Sequence, residues 1–177
     1  MMYRNCFVLF LLVSIVLWSA CASDRQKALA QIEVLEKRIA KDSLSNPDKS
    51  VFMKIAAAYL DYAKRYNDDP KAQEMLFKAA SINNSLHNFS QAARLYKDVY
   101  LRYPRFNKAA VSLFLSGFIY ENYLHDLSKA QKDYLEFLSV FPHHELNKDV
   151  KYSIGHLGFS QEEMIYSVNK NANSAVK

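Results

Sequence analysis

The sequence predicts an all-α fold, a solenoid of about four antiparallel helix hairpins stacked one on the next. Three observations predict it. The chain repeats itself at a spacing of 38 residues: Asn84, Leu86, His87, Ser90, Ala92, Tyr96 and Pro104 recur as Asn122, Leu124, His125, Ser128, Ala130, Tyr134 and Pro142. Self-similarity at such a period marks stacked units that cannot bury their apolar faces alone. Apolar residues also fall at helical spacing, as in Leu29, Ile32, Leu35 and Ile39. Finally, three glycines, four prolines and 14% aromatic residues suit a compact helical protein and leave too few turn formers for a β-sandwich.

Taken in order, residues 1–5 hold one charge, Arg4, and residues 6–18 (CFVLFLLVSIVLW) form an uncharged apolar run of 13. Small residues follow: Ser19, Ala20, Cys21, Ala22 and Ser23. This is the layout of a secretory signal, and the run falls short of the roughly 20 apolar residues of a membrane-spanning helix. The expected organisation is a signal peptide over 1–20, a lipid anchor and tether over 21–24, a helical domain over 25–170 and a disordered tail over 171–177. The first helix is expected over 25–41, broken by SLSNPDKS. Asn46-Pro47 then reads as an N-cap followed by Pro at the first helical position, and Asp69-Pro70 repeats that device before a helix reaching Leu86. Asn88 and Asp126 sit where N-caps would open the second helix of each full repeat. Ser160 to Glu163 forms a capping box before a last short helix. The first and last hairpins fit the repeat poorly, as terminal units of solenoids do.

The repeated residue types have physical reasons. Ala79, Gly117 and Gly155, each 38 apart, are small enough to let the first helix of a hairpin approach its partner, and Ala92 and Ala130 do the same from the second. Tyr96 and Tyr134, with Val99 and Phe137, fill the space between hairpins, each burial contributing roughly 1.5–3 kcal/mol. Pro104 and Pro142 end the second helix, because Pro lacks the backbone donor and clashes with the preceding turn. His87 and His125 occupy one turn position in both repeats, a place that often needs positive φ and that His tolerates better than most residues.

This succession of small, small, aromatic and Pro resembles the tetratricopeptide repeat, over about residues 51–158. The resemblance implies a right-handed solenoid. The chain departs from that pattern in its period, 38 rather than about 34, in having Met75/Leu113 and Lys78/Ser116 where Trp and Gly are usual, and in having His before each second-helix cap. Ser19-Ala20-Cys21 resembles the end of a bacterial lipobox, with Trp18 in place of the usual aliphatic residue. That likeness implies cleavage before Cys21 and lipidation of its sulfur. The other cysteine, Cys6, would leave with the signal, so no disulfide could form. The alternative is a plain signal with the site Ala20-Cys21-Ala22, cut before Ser23. Ala22, rather than Asp, favours the outer membrane. Together the features resemble tetratricopeptide lipoproteins of Gram-negative bacteria, similar in shape to outer-membrane assembly and Tol-Pal-associated proteins. They imply a non-enzymatic, periplasm-facing adaptor that binds another envelope protein or peptide, outer-membrane protein assembly being the narrower expectation. A peptidoglycan-binding or Tol-Pal-type coordinator is the nearest alternative, and an accessory envelope enzyme the alternative from another class.

In the resembled family the first helix of each hairpin lines a concave face. Taking Ala79, Gly117 and Gly155 as equivalent, the expected groove comprises Gln73, Leu76, Ala80 and Asn83, then Val111, Phe114, Phe118 and Glu121, then Asp149, Tyr152 and His156. The middle set is strongly apolar. It either packs under a neighbouring hairpin or accepts the apolar anchors of a peptide or partner helix. Val111 and Leu115 stand where basic groups would clamp a C-terminal carboxylate, so that mode is disfavoured although Asn83 fits it. The 23 Lys+Arg and 18 Asp+Glu are interleaved, the pattern of solvated helix faces and not of a nucleic-acid stripe. His143 and His144 are adjacent and diverge, with no ligand spaced to close a tetrahedral site. No G-x-S-x-G, HExxH, Walker loop or GxGxxG occurs. No catalytic, cofactor or metal residues are expected, and Glu121, Asn122 and Tyr123 are the one polar-aromatic cluster a sugar binder could use.

Overall fold

The structure is a computed structural model that describes residues 24–41 and 48–159. The expected signal peptide, Cys21, Asn46-Pro47, the Ser160 to Glu163 box, the last short helix and the tail lie outside the described residues. Those described form helices α1 (24–41), α2 (Lys49–Arg65), α3 (Ala72–Ser85), α4 (Phe89–Arg102), α5 (Ala109–Asn122), α6 (Leu127–Val140) and α7 (Asn147–Gly155), with no strand among them. The fold is all-α, as expected, and among the described residues no helix is long and apolar enough to cross a membrane. The chain forms two compact units that divide within α3, the first ending at Ile82 and the second beginning at Asn83.

In the first unit, α1 buries Ile32, and α2 buries Val51, Ile55, Ala56, Tyr59, Tyr62 and Ala63. Polar contacts fix the register of these helices. The Arg25 guanidinium donates to Asp69 at 2.7 Å, and Glu36 accepts from Lys78 at 2.8 Å and from the Tyr59 hydroxyl at 2.6 Å. Burial would raise the Glu36 carboxyl, but the bonds from Lys78 and Tyr59 outweigh it and hold it below the usual carboxylate value. Helix α2 opens on Asp48, whose carboxylate accepts from the Ser50 N–H at 2.8 Å. The cap is therefore Asp48 and not the expected Asn46, since an aspartate one residue before the helix satisfies its orphan donors directly. Asp69 accepts from the Lys71 N–H at 2.8 Å in the turn before α3, and because α3 begins at Ala72, Asp69 and Pro70 are turn residues and not the expected N-cap and first helical residue.

One series of backbone hydrogen bonds closes three successive connections. After α2, the N–H of Tyr66 donates to Tyr62 (2.9 Å), that of Asp69 to Tyr66 (2.9 Å) and that of Ala72 to Asp69 (2.8 Å). After α4 the same steps run from Tyr103 to Val99 (3.0 Å), Phe106 to Tyr103 (2.9 Å) and Ala109 to Phe106 (2.9 Å). After α6 they run from Phe141 to Phe137 (2.8 Å), His144 to Phe141 (3.1 Å) and Asn147 to His144 (3.0 Å). The last two sets are 38 residues apart and the first two are 37 apart, so the repeat extends to the connection after α2, where Arg65, Tyr66, Lys71 and Ala72 match Arg102, Tyr103, Lys108 and Ala109. Asn67 stands there where Pro104 and Pro142 stand later. The helix ends without a proline because the tightened turn already satisfies its last carbonyls.

In the second unit α4, α5, α6 and α7 pack consecutively around Tyr100, Ala110, Leu113, Ala130, Tyr134, Phe137 and Val150. Ala92, Ala130, Tyr134, Val99 and Phe137 are fully buried and Tyr96 nearly so, as the repeat requires. Gly117 sets the α5–α6 distance: a Cβ there would lie 2.8 Å from Tyr134 Cε1 and 3.3 Å from Asp133 Cβ. Gly155 differs from its counterpart, because a Cβ on it meets nothing described within 4 Å. Among the described residues it therefore permits no close approach. The turn histidines have φ of +61° at His87 and +52° at His125, the left-handed conformation that reverses the chain before the next helix. Asn88 and Asp126 are the N-caps of α4 and α6, but only Asp126 makes a capping bond, accepting from the Lys129 N–H at 3.1 Å.

Candidate functional site

Helix α5 positions the site. Its sequence, AAVSLFLSGFIYEN, is apolar all round and has one charged residue, Glu121. One side of it is buried: Ala109, Ala110, Ser112, Leu113, Ser116, Gly117 and Ile119. The opposite stripe, Val111, Phe114, Leu115, Phe118 and Glu121, is only partly buried. A helix that is apolar on every face is normally enclosed on every face, so this stripe is anomalous. The rings along it form a continuous series. Phe114 lies 6.1 Å from both Tyr134 and Phe118, Phe118 lies 6.2 Å from Tyr123, and Tyr123 stacks on Phe89 at 4.0 Å. Phe114 also packs against the core cluster. Phe114 and Phe118 are thus packed against the protein without being fully covered.

Glu121 is fixed from below. Its Oε2 accepts from the Tyr134 hydroxyl at 2.6 Å, and Tyr134 is fully buried. Burial, then the bond to Glu121, drives the Tyr134 phenol far above its ordinary value, so it stays a donor across the physiological range. The rest of the polar cluster is also engaged within the fold. The Asn122 amide donates to the Phe118 carbonyl at 3.0 Å, and Tyr123 is occupied with Phe89.

The other expected groove residues divide. Tyr152 is 49% exposed and stacks on His156 at 4.1 Å, whose Nδ1 lies 2.8 Å from the Tyr152 carbonyl oxygen. Leu76 and Ala80 are buried at 2% and 0%, and Asn83 at 8%. Leu76 and Ala80 are therefore core residues and not groove residues, whereas Gln73 and Phe77 on the same stripe stay partly buried and Asn83 edges a surface pocket with His87 and Phe89. Sequence alone could not distinguish core from groove here, since Leu76 and Phe114 look alike as apolar residues at one repeat position.

A network missed in the sequence ties α4, α5 and α6 together. Lys97 Nζ lies 2.7 Å from Asp133 and 2.6 Å from Glu136, while the Ser116 hydroxyl donates to Asp133 at 2.6 Å. Asp133 is only 4% exposed. The signal available was a carboxylate on the buried face of an amphipathic helix, which requires a partner, but its partner lies 36 residues away. Burial alone would lower the Lys97 ammonium, yet the two carboxylates raise it above its ordinary value. Every group is satisfied, and the network reads as structure. Among the described residues no group of three or more His, Cys, Asp or Glu could hold a metal ion. His144 uses its Nδ1 to accept from the Leu146 N–H at 3.2 Å. Comparison of the chain with known protein families and with curated proteins finds no match.

Proposed function

We propose that this chain is a non-enzymatic adaptor of the tetratricopeptide type, anchored by lipid on Cys21 to the bacterial outer membrane and facing the periplasm. In this reading it binds another envelope protein through the open stripe of α5. The observation that carries the reading is that Val111, Phe114, Leu115 and Phe118 stay partly exposed on a helix with no polar face. Such a stripe, with anchors at i, i+3, i+4 and i+7, is what an amphipathic helix or extended peptide docks into. Participation in outer-membrane protein assembly is the narrower form. Pull-down from solubilised envelopes with wild type and with Phe114→Glu/Phe118→Glu, both checked by circular dichroism, tests it. Loss of specific partners in the variant is expected, and unchanged recovery would refute the docking face. Cys21→Ser should release the protein from membranes, and persistence there would show another anchor.

A further inference from the structure

The α5 stripe carries no Lys or Arg, in a chain with 23 of them against 18 Asp and Glu. Its one charge, Glu121, is half-buried and held by Tyr134, and among the described residues no basic side chain pairs with it. The equivalent stripe on the first helix of the next hairpin, α7, also carries one acid, Asp149, and the exposed Lys148 and Lys151 lie off that stripe. The bond from the Val150 N–H to the Leu146 carbonyl matches that from Ser112 to Lys108, which places Asp149 on α7 where Val111 stands on α5. Asp149 is exposed and likewise has no basic partner among the described residues. We propose that the face takes a cationic amphipathic protein segment, whose aliphatic or aromatic side chains cover Phe114 and Phe118 while its Lys or Arg residues pair with Glu121 and Asp149. This rests on the reading of the α5 stripe as a docking face. A carboxylate beside an apolar wall attracts a cation more strongly than one in open water, and Tyr134 holds Glu121 in place before the partner arrives, which lowers the ordering cost. The same two charges disfavour an acidic segment at this face.

Fluorescence anisotropy with the purified full chain tests this. The probes are two labelled synthetic helical peptides with one Leu/Phe pattern, bearing Lys or Glu at the remaining positions, and a third peptide of the chain's own residues 160–177. The Lys peptide should bind at least about five-fold more tightly than the Glu peptide at low salt, with the gap closing at high salt. Glu121→Gln/Asp149→Asn keeps the acceptor for Tyr134 and should abolish the preference while leaving apolar binding. Phe118→Glu should weaken both synthetic peptides. Equal binding of the two by wild type would overturn the charge assignment and leave the docking face standing. Binding of neither would overturn both. Tighter binding of the 160–177 peptide than of the Lys peptide would assign the face to the chain itself and overturn the partner.

Discussion

Replacing Gly117 by alanine should destabilise the protein, although the same change in most helices does the opposite. In an open helix interior Gly→Ala gains about 0.5–1 kcal/mol, because glycine loses more backbone freedom on folding. Here the new methyl would sit 2.8 Å from Tyr134 Cε1, 3.0 Å from Cδ1 and 3.3 Å from Asp133 Cβ. None of these can give way cheaply. Tyr134 is fully buried with its hydroxyl bound to Glu121, and Asp133 is held by Lys97 and Ser116. Overpacking of a tight core costs about 1–3 kcal/mol, so the net loss should be about 1–2 kcal/mol. Urea unfolding followed by circular dichroism would show this as a midpoint lowered by roughly 0.5–1 M, for a slope of about 2 kcal/mol/M. Gly155→Ala is the internal control. With nothing described within 4 Å, and at the frayed end of α7, it should be neutral or stabilising by up to about 0.5 kcal/mol. A Gly117→Ala protein as stable as wild type, or more so, would refute the claim that this glycine sets the α5–α6 distance.

Three other outcomes are expected. Because His87 and His125 hold φ of +61° and +52°, His→Gly at either site should stabilise by up to about 1 kcal/mol and His→Val should cost at least that much, read by thermal melts. Asp126→Ala should cost about 1 kcal/mol, because it removes a capping bond, whereas Asn88→Ala, which removes none, should cost a few tenths. Lys97→Met should cost about 3 kcal/mol at neutral pH by stripping buried Asp133 of its cation. The pH dependence of that network follows from its shifts. Burial would raise the Glu136 carboxyl, but Lys97 and Tyr100 hold it below 4.5, and the Lys97 ammonium lies above 10.5. A lowered carboxyl adds stability above its unfolded value, which is lost as pH falls through the folded one. A raised lysine adds stability below its unfolded value, which is lost as pH rises through the folded one. The contribution is therefore complete between about pH 5 and 10, and the drop in wild-type stability from about pH 5 to 3 should be shallower in Lys97→Met.

What could be read from the sequence was whatever is encoded locally and repeated. Positive φ at His87 and His125, caps at Asn88 and Asp126, helix ends before Pro104 and Pro142 and the tight packing at Gly117 each need only a residue type at a fixed offset, and each is found. The earliest connection escaped because its offset is 37 and not 38: Arg65, Tyr66, Lys71 and Ala72 match Arg102, Tyr103, Lys108 and Ala109, but Asn67 stands where Pro104 and Pro142 mark the later helix ends. The Lys97–Asp133–Glu136 network escaped because its members are 36 and 39 residues apart, and periodicity says nothing of which long-range charges meet. The groove was half legible for a related reason. Periodicity named the stripe shared by α3 and α5, but whether a stripe is covered depends on what packs over it. Leu76 and Ala80 are buried where Phe114 and Phe118 stay partly open.

A partner seated in the cell on the open side of α5 would lie against Phe118. A photo-crosslinking amino acid placed at Phe118, compared with one at Leu135 on the exposed side of α6, measures this directly in living cells. A discrete protein adduct is expected from position 118, absent from position 135 and diminished by Phe114→Glu. No adduct at 118, or the same adducts from both positions, would contradict a docking face on α5.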